Sequence, residues 1–530
     1  MSIIEKMEGQ KITAGAWLFT FFAIFFLRIF LETLSSGLDY FDSSKDLTGF
    51  VFFHLPAFFL LGALFFILVL HFLTKEKIEK ITKVALFAFI IILLPPIIDL
   101  IVTGGRGGIL MQYAPLLAVP GGIANFFHWF FEFFLYDCQG LLFFGKAPEY
   151  ATPEIFNINY GVRIQLGLIF LGFIWYVFLK TKSILRVFLG LVILYLTTFV
   201  FYYFPLRLYS ASASSLNPSF NHQYIIAALY IIAVCLSALI WFFIYNREKF
   251  ISILKNLRPS RIAHNIILLS LGLYLGGVLS FDLNFGDKTL IALALVSLFL
   301  CLLGETTYDD LSDEKIDKIS NPARPLPAGR LTRSEFQTLG TLFFIGSYLT
   351  AFIVGYAFFI FLLLRGFVSY IYGYPPFRLK RFPILATFIR ALAFVFTIYA
   401  AFLLIAENSV FDFPGRLAIF ALLAFTLGAT VKDIRDYEGD RASDIYTIPV
   451  IFGLKKGKKI LGLFVFIAFL SAPLIFSEHF KVLILPALLA GTLSFWLIGK
   501  EKYFPRTAPC LFLIYLIFGL FFILTIFKYY

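Results

Sequence analysis

From residue 262 to its C-terminus this 530-residue chain repeats one pattern nine times, a mostly apolar run followed by a polar break. The runs lie at roughly 262–281, 289–308, 335–354, 356–372, 383–406, 415–432, 459–477, 481–498 and 507–527. About 20 apolar residues in helical form cross the hydrocarbon core of a bilayer. A continuous run of that length must satisfy its backbone hydrogen bonds internally, so it spans as a helix. Six further runs precede the nine, at roughly 15–33, 50–73, 84–103, 163–180, 184–205 and 223–245. The expectation is an all-α, polytopic membrane protein of about fifteen spans, with lipid as its surroundings. Composition agrees: 60% of residues are hydrophobic and 14% charged, against about 45–50% and about 25% in soluble chains. Those figures exclude a soluble fold, disorder, collagen and a nucleic-acid module, so no nucleic-acid partner is expected.

The formal charge of +12 still has to be placed. Within the nine-run half, segments 313–335, 372–382, 432–459 and 500–506 carry 18 Lys and Arg, whereas the alternating connections carry four. Basic residues concentrate in cytoplasmic loops. The reading is therefore a multi-pass protein of the cell membrane, with its N-terminus and these loops cytoplasmic and its C-terminus outside. The polar start MSIIEKMEGQK precedes a run long enough to span, which reads as an uncleaved first helix rather than a signal peptide. The basic stretch 246–261 reads as a cytoplasmic linker between an N-terminal membrane domain, 1–245, and a second membrane domain, 262–530.

Segment 104–162, with GGRGG and the aromatic run FFHWFFEFF, fits this topology as an external segment, re-entrant or lying in the interface. A span at 114–136 would carry the Lys-rich loop 75–83 to the outside. Arg106, Glu132, Glu154 and Arg163 mark this segment as the place to look for a site in the first half; GGRGG by itself reads as a flexible turn. The four cysteines and six histidines are scattered, with neither a disulfide framework nor a thiolate or histidine metal cluster in their spacing.

Chemistry concentrates in two acidic segments. In YDDLSDEKIDKISNPARPLPAGRLT, residues 308–332, Asp309, Asp313 and Asp317 recur at i, i+4 and i+8, and Asp310 sits beside them. In VKDIRDYEGDRASDIYTIPV, residues 431–450, Asp433, Asp436 and Asp440 recur at i, i+3 and i+7. Each set stacks on one helical face, where like charges destabilise the helix unless a counterion intervenes. A charged run between spans is ordinarily a solvated loop, but two such sets follow the second and sixth spans of the same half. Hard Mg²⁺ takes one or two carboxylates plus substrate phosphate oxygens. Facing carboxylates could thus hold metal on a diphosphate, with Arg324, Arg378, Lys380, Lys432 and Arg441 in the same loops for the remaining phosphate charge.

These segments resemble the UbiA superfamily of intramembrane prenyltransferases. The family's NDxxDxxxD motif and following RPxPSG-like run are similar to DDLSDEKID and NPARPLPAG, and its DxxDxxGD and TxP to DIRDYEGD and TIP. YGYPPFRLKRFP, 372–383, resembles the family's Tyr/Lys loop, and RPSRIAHN, 258–265, its entry to the first helix. The resemblance covers about residues 250–530; Asp309 stands where the family carries Asn, and it either binds metal or hydrogen-bonds in the Asn's place. The resemblance implies a nine-helix bundle that uses Mg²⁺ to ionise an allylic prenyl diphosphate donor. The prenyl group then passes to a hydrophobic acceptor, whether lipid, quinone precursor or tetrapyrrole. On it, Asp309, Asp310, Asp313, Asp317, Asp433, Asp436 and Asp440 hold metal, and Asp313, Asp317, Asp436, Asp440 and Lys380 carry catalysis. Arg324, Arg378, Lys432, Arg441, Arg390 and either Tyr372 or Tyr374 bind the diphosphate.

Charges inside spans are costly and usually functional. Arg390 reads as a buried pocket residue, Arg365 as a snorkelling or structurally paired one, and Arg28 and Asp99 as structural pairs. The competing class is a cation transporter using the same carboxylates. Transporter sites lie near the bilayer midplane on broken helices, whereas these sets sit in basic loops, which favours the enzyme.

Overall fold

A computed structural model describes residues 3–36, 49–103, 160–209, 213–374, 376–442, 445–500 and 507–527. Segment 104–159, including the alternative span 114–136 and Arg106, Glu132 and Glu154, lies outside the described residues, and nothing is described of the Arg163 side chain. Among the described residues the chain is helical with no strand, and thirteen helices are long and apolar enough to cross a membrane. Two of the fifteen runs fall short of that measure. In one, the helix Ile184–Tyr209, the side chains are described only in part, and Ile184–Thr197 is the apolar stretch among them. The helix Pro259–Leu275 is 17 residues long and stops at Gly276 because Gly277 turns left-handed at φ +88°. Glycine takes that backbone without steric penalty and so ends the run early.

The chain forms two compact units: Met1–Ser214, Ser219–Phe250 and Leu283–Leu290 in one, Ser215–Pro218, Ile251–Asp282 and Ile291–Tyr530 in the other. In the first, the polar residues inside helices pair locally. Arg28 is bonded to Glu32 at 2.8 Å and Gln165 at 3.4 Å and lies over the Phe59 ring, while Asp99 accepts from the Gly161 amide at 2.9 Å. Glu8 is bridged by Lys180 at 2.6 Å and Lys80 at 3.5 Å, which fixes the N-terminal helix Ile3–Glu8.

In the second unit the helices Pro259–Leu275, Leu385–Phe402, Gly415–Gly428, Leu454–Ile475, Phe480–Gly499 and Thr507–Phe527 share one core. Leu268, Ile398, Leu417, Leu461, Leu483 and Phe518 are buried members of it. Pro259–Leu275 lies so close to Leu385–Phe402 that a Cβ on Gly272 would stand 2.2 Å from the Ile398 carbonyl oxygen. A stripe without a side chain is what permits that approach.

Arg365 settles the two readings left open for it: it is a structural partner deep in the bundle. Its guanidinium donates from Nε and Nη2 to the two Glu305 carboxylate oxygens, each at 2.9 Å. Nη1 donates to Asn265 Oδ1 at 2.7 Å, to the Ala393 carbonyl at 3.3 Å and to the Thr397 hydroxyl. Ser369 donates to Glu305 at 2.9 Å. One fork–fork pair therefore ties the helices Pro259–Leu275, Phe285–Ser312, Tyr356–Gly373 and Leu385–Phe402. Arg365 is 2% exposed and Glu305 3%, and every polar group of the pair is bonded, which is the condition under which buried ions are tolerated. Arg365→Leu is expected to destabilise the folded unit by about 3–5 kcal/mol by stranding Glu305. The double variant Arg365→Met/Glu305→Leu should recover more than half, as read from thermal midpoints in detergent.

Candidate active site

The first acidic set grows out of the span Phe285–Ser312. The helix is interrupted at Asp313 and resumes as Glu314–Ser320, yet the i→i−4 amide bonds continue from Asp313 to the Asp309 carbonyl and from Asp317 to the Asp313 carbonyl. The three carboxylates thus keep the one-face stacking their spacing implies. Pro322, Pro325 and Pro327 deny further helix, and with Gly329 at φ +68° the loop folds back, amides bonding Ala328 to Arg324 and Arg330 to Pro325. That fold-back lays Arg324 between Asp310, at 3.1 Å, and Asp317.

Each carboxylate of this set has basic partners. Asp309 is approached by three guanidiniums: Arg261 at 3.1 Å, Arg390 at 3.5 Å and Arg258 at 3.9 Å. Asp310, 1% exposed, accepts from Asn256 at 2.7 Å and Arg258 at 2.6 Å besides Arg324. Asp313 is bonded by Lys380, which also donates to Ser312 at 3.0 Å. Asp317 takes Arg324 and Asn321. Burial pushes the Asp317 carboxyl above the ordinary carboxylate range, and the Arg324 charge opposes the shift.

The second set lies on Asp433–Ala442, which packs against Glu314–Ser320, so the two acidic helices meet. Its carboxylates are much less engaged. Asp436 takes a 2.9 Å bond from exposed Arg435, whereas neither the Asp433 nor the Asp440 side chain makes a hydrogen bond or ion pair among the described residues. Lys432, one residue before this helix, donates to Tyr372 Oη at 2.9 Å and lies 5.3 Å over its ring, with Arg390 at 4.8 Å over the same ring. Tyr372 is therefore the tyrosine that gathers cations. Tyr374 packs instead on the rings of Tyr370 and Tyr308, at 5.5 and 5.6 Å, and burial pushes its hydroxyl up to about 12.

The structure gathers Asp309, Asp310, Asp313, Asp317, Arg324, Lys380, Arg390, Tyr372 and Lys432 through these contacts, and packs the Asp433, Asp436 and Asp440 helix against them. Two candidates stand apart: Arg378, whose backbone turns left-handed at φ +42° beside inward-facing Lys380, and Arg441, exposed on the last turn of its helix. Neither makes an ion pair or hydrogen bond through its side chain among the described residues. No three Asp, Glu, His or Cys side chains form a ready metal cage among the described residues. Sequence reasoning passed over Glu305, Asn256, Asn265, Arg258 and Arg261. Only the two arginines had a local signal, the i, i+3 spacing in RPSRIAHN that sets both toward Asp309.

Comparison with known proteins decides what this arrangement is. The sequence pattern of the UbiA prenyltransferase family matches residues 266–527. The chain is 32% identical over 210 residues to the digeranylgeranylglyceryl phosphate synthase of Pyrococcus horikoshii, covering 39% of this chain and 73% of that protein. The chain belongs to the UbiA prenyltransferase family. The synthase of the same name from Pyrococcus furiosus is 33% identical over 211 residues, again 39% of this chain and 73% of that protein. Among solved structures, a UbiA homolog from Archaeoglobus fulgidus bound to GPP and Mg²⁺ overlaps 51% of this chain and 96% of its own, with 22% identity and a TM-score of 0.41. The chain is accordingly a membrane prenyltransferase, and the transporter reading is set aside.

Asp310, with three side-chain donors and almost no exposure, is placed to hold Arg258 and Arg324 rather than to offer free oxygens. Asp310→Ala should lower stability by about 3 kcal/mol through stranded guanidiniums. Asp436→Ala, at an exposed carboxylate, should stay within about 0.5 kcal/mol of the parent; thermal unfolding of both variants in detergent checks the contrast.

Proposed function

We propose that residues 262–530 transfer a prenyl group from an allylic prenyl diphosphate to a hydroxyl of an anionic isoprenoid lipid, of the prenylglyceryl phosphate class, with Mg²⁺ as cofactor. The observation that carries this is the packing of two acidic helices together, with Arg258, Arg261, Arg324, Arg390 and Lys380 paired to the first acidic set and Lys432 beside the second, over Tyr372. The choice of a lipid acceptor over a quinone precursor or tetrapyrrole is supported by the relatives in Pyrococcus, whose shared name is digeranylgeranylglyceryl phosphate synthase.

The donor set suits a hard divalent cation: Asp433 and Asp440 offer carboxylate oxygens with no competing hydrogen bond among the described residues, on the same helical face as Asp436. Asp433, Asp436 and Asp440 on one side and Asp313 and Asp317 on the other would hold Mg²⁺, which needs only one or two carboxylates when phosphate oxygens complete its shell. Bound there, Mg²⁺ supplies positive charge to the diphosphate as it departs. The chain's own part is to bind and orient. Lys432 and Arg390, both seated on Tyr372, and Arg324 and Lys380 present cations where negative charge grows as the allylic C–O bond breaks and its electron pair leaves with the diphosphate. The acceptor hydroxyl oxygen then bonds to that carbon, and its proton passes to the departed diphosphate. Asp309, bonded by Arg261 and Arg390, takes the hydrogen-bonding place of the family's Asn and fixes the cationic layer. The concentration of Lys and Arg in these loops supports a site at the cytoplasmic face, with the N-terminus on the same side and the C-terminus outside.

Purified protein given labelled geranylgeranyl diphosphate, Mg²⁺ and a prenylglyceryl phosphate should release diphosphate and form an ether lipid. Absence of release with this acceptor, and with hydroxybenzoate-like, naphthoate-like and tetrapyrrole acceptors, would overturn the assignment. Asp313→Ala and Asp436→Ala should each lower turnover about a thousandfold while the protein stays inserted and monodisperse. Chelation should abolish turnover, and added Mg²⁺ should restore it.

A further inference from the structure

Arg258 and Arg261 also border a second feature. With Asn256 they line the polar part of a groove whose other walls include Leu303, from the span that carries Asp309, and Leu339 and Phe343, from the span Arg333–Val354. The enclosed space is small, about 20 Å³, and the rest of the groove is open at the surface. Leu303 lies six residues back from Asp309, so at 1.5 Å per residue the apolar wall reaches roughly 9 Å past the charged layer. All three apolar residues are half-buried, leaving surface for a chain to cover.

The charge at the groove's head is unbalanced. Arg258, Arg261, Arg324 and Arg390 are four guanidiniums serving three carboxylates, Asp309, Asp310 and Asp317. Three of the four crowd Asp309, so an anion arriving on Arg258 and Arg261 relieves repulsion among like charges. A phosphate on an apolar tail complements both ends: charge-assisted bonds at the head, burial of hydrocarbon along the wall.

We propose that this groove is the acceptor's binding site: the phosphate of an amphiphilic isoprenoid lipid sits on Arg258 and Arg261, and its chain runs along Leu303, Leu339 and Phe343. Arg261 then stands between the two substrates, one side facing the acceptor phosphate and the other Asp309 and the donor layer. This extends the prenyltransfer reading and rests on it. Acceptor selection belongs to the outer side of the two arginines, donor binding to the acidic helices.

The test is steady-state kinetics of the full chain in detergent, following labelled diphosphate release while donor and acceptor are varied separately. Leu339→Trp fills the groove and Phe343→Ala opens it; in both the acceptor KM should rise about tenfold, corresponding to ~1.4 kcal/mol, with the donor KM within about twofold of the parent. For the parent protein, an acceptor of the same chain carrying free glycerol in place of the phosphate should show a comparable rise. Unchanged acceptor KM in both variants overturns the proposal, as does a parallel rise in donor KM. If the variants alter only the dependence on added phosphatidylglycerol vesicles, the groove holds bulk lipid and the proposal is overturned equally. Failure of prenyltransfer itself is a separate result: the parent protein would then release no diphosphate with any acceptor.

Discussion

The bidentate pair between Arg365 and Glu305 is the interaction on which the site's geometry depends. It joins four helices deep in the bundle, and each carries a site residue one or two turns away on the same face. Asp309 follows Glu305 by four residues, Arg261 precedes Asn265 by four, Arg390 precedes Ala393 by three, and Tyr372 follows Arg365 by seven. Residues three, four or seven apart share a helical face. Fixing the register of the four helices at the buried pair therefore brings Arg261 and Arg390 together on Asp309 and seats Arg390 on Tyr372. A charged anchor in a low-dielectric interior does this better than apolar packing, because a shift in register would leave an ion unbonded.

Above the anchor, electrostatics rather than packing organises the site. The first acidic set is engaged by arginines and Lys380, and in the second the carboxylate oxygens of Asp433 and Asp440 make no hydrogen bond or ion pair among the described residues. This asymmetry divides labour within one cluster: one helix fixes the cations, the other offers oxygens. Substituting Asp309 for the family's Asn suits the division, since a full negative charge is better matched to three converging guanidiniums than a neutral amide.

The membrane class, the positions of the spans and the two acidic motifs were legible because each depends on local pattern: run length, charge bias and helical spacing. Asp309, Asp313 and Asp317 stack as their spacing says, even across the break at Asp313. The basic partners were legible only in part. Lys380, Arg390, Lys432 and Arg324 were found by type and loop, but Arg378 and Arg441 share those attributes and stand apart, one turned by a left-handed backbone and the other at an exposed helix end. Glu305, a single acid in a long apolar run, carries no local mark that separates a buried anchor from a tolerated charge.

The sequence by itself determined that this chain is a helical membrane protein and that two acidic helix faces with a UbiA-like signature follow its spans, because hydrophobic length and helical period act within one segment. Tertiary structure alone decided which tyrosine gathers the cations, that Arg365 pairs with Glu305, and that Asp310 serves Arg258 and Arg324. Each of those outcomes joins residues dozens of positions apart, or turns on a backbone fold-back. Which side chains meet is then set by how helices register against one another, a quantity that no single segment contains.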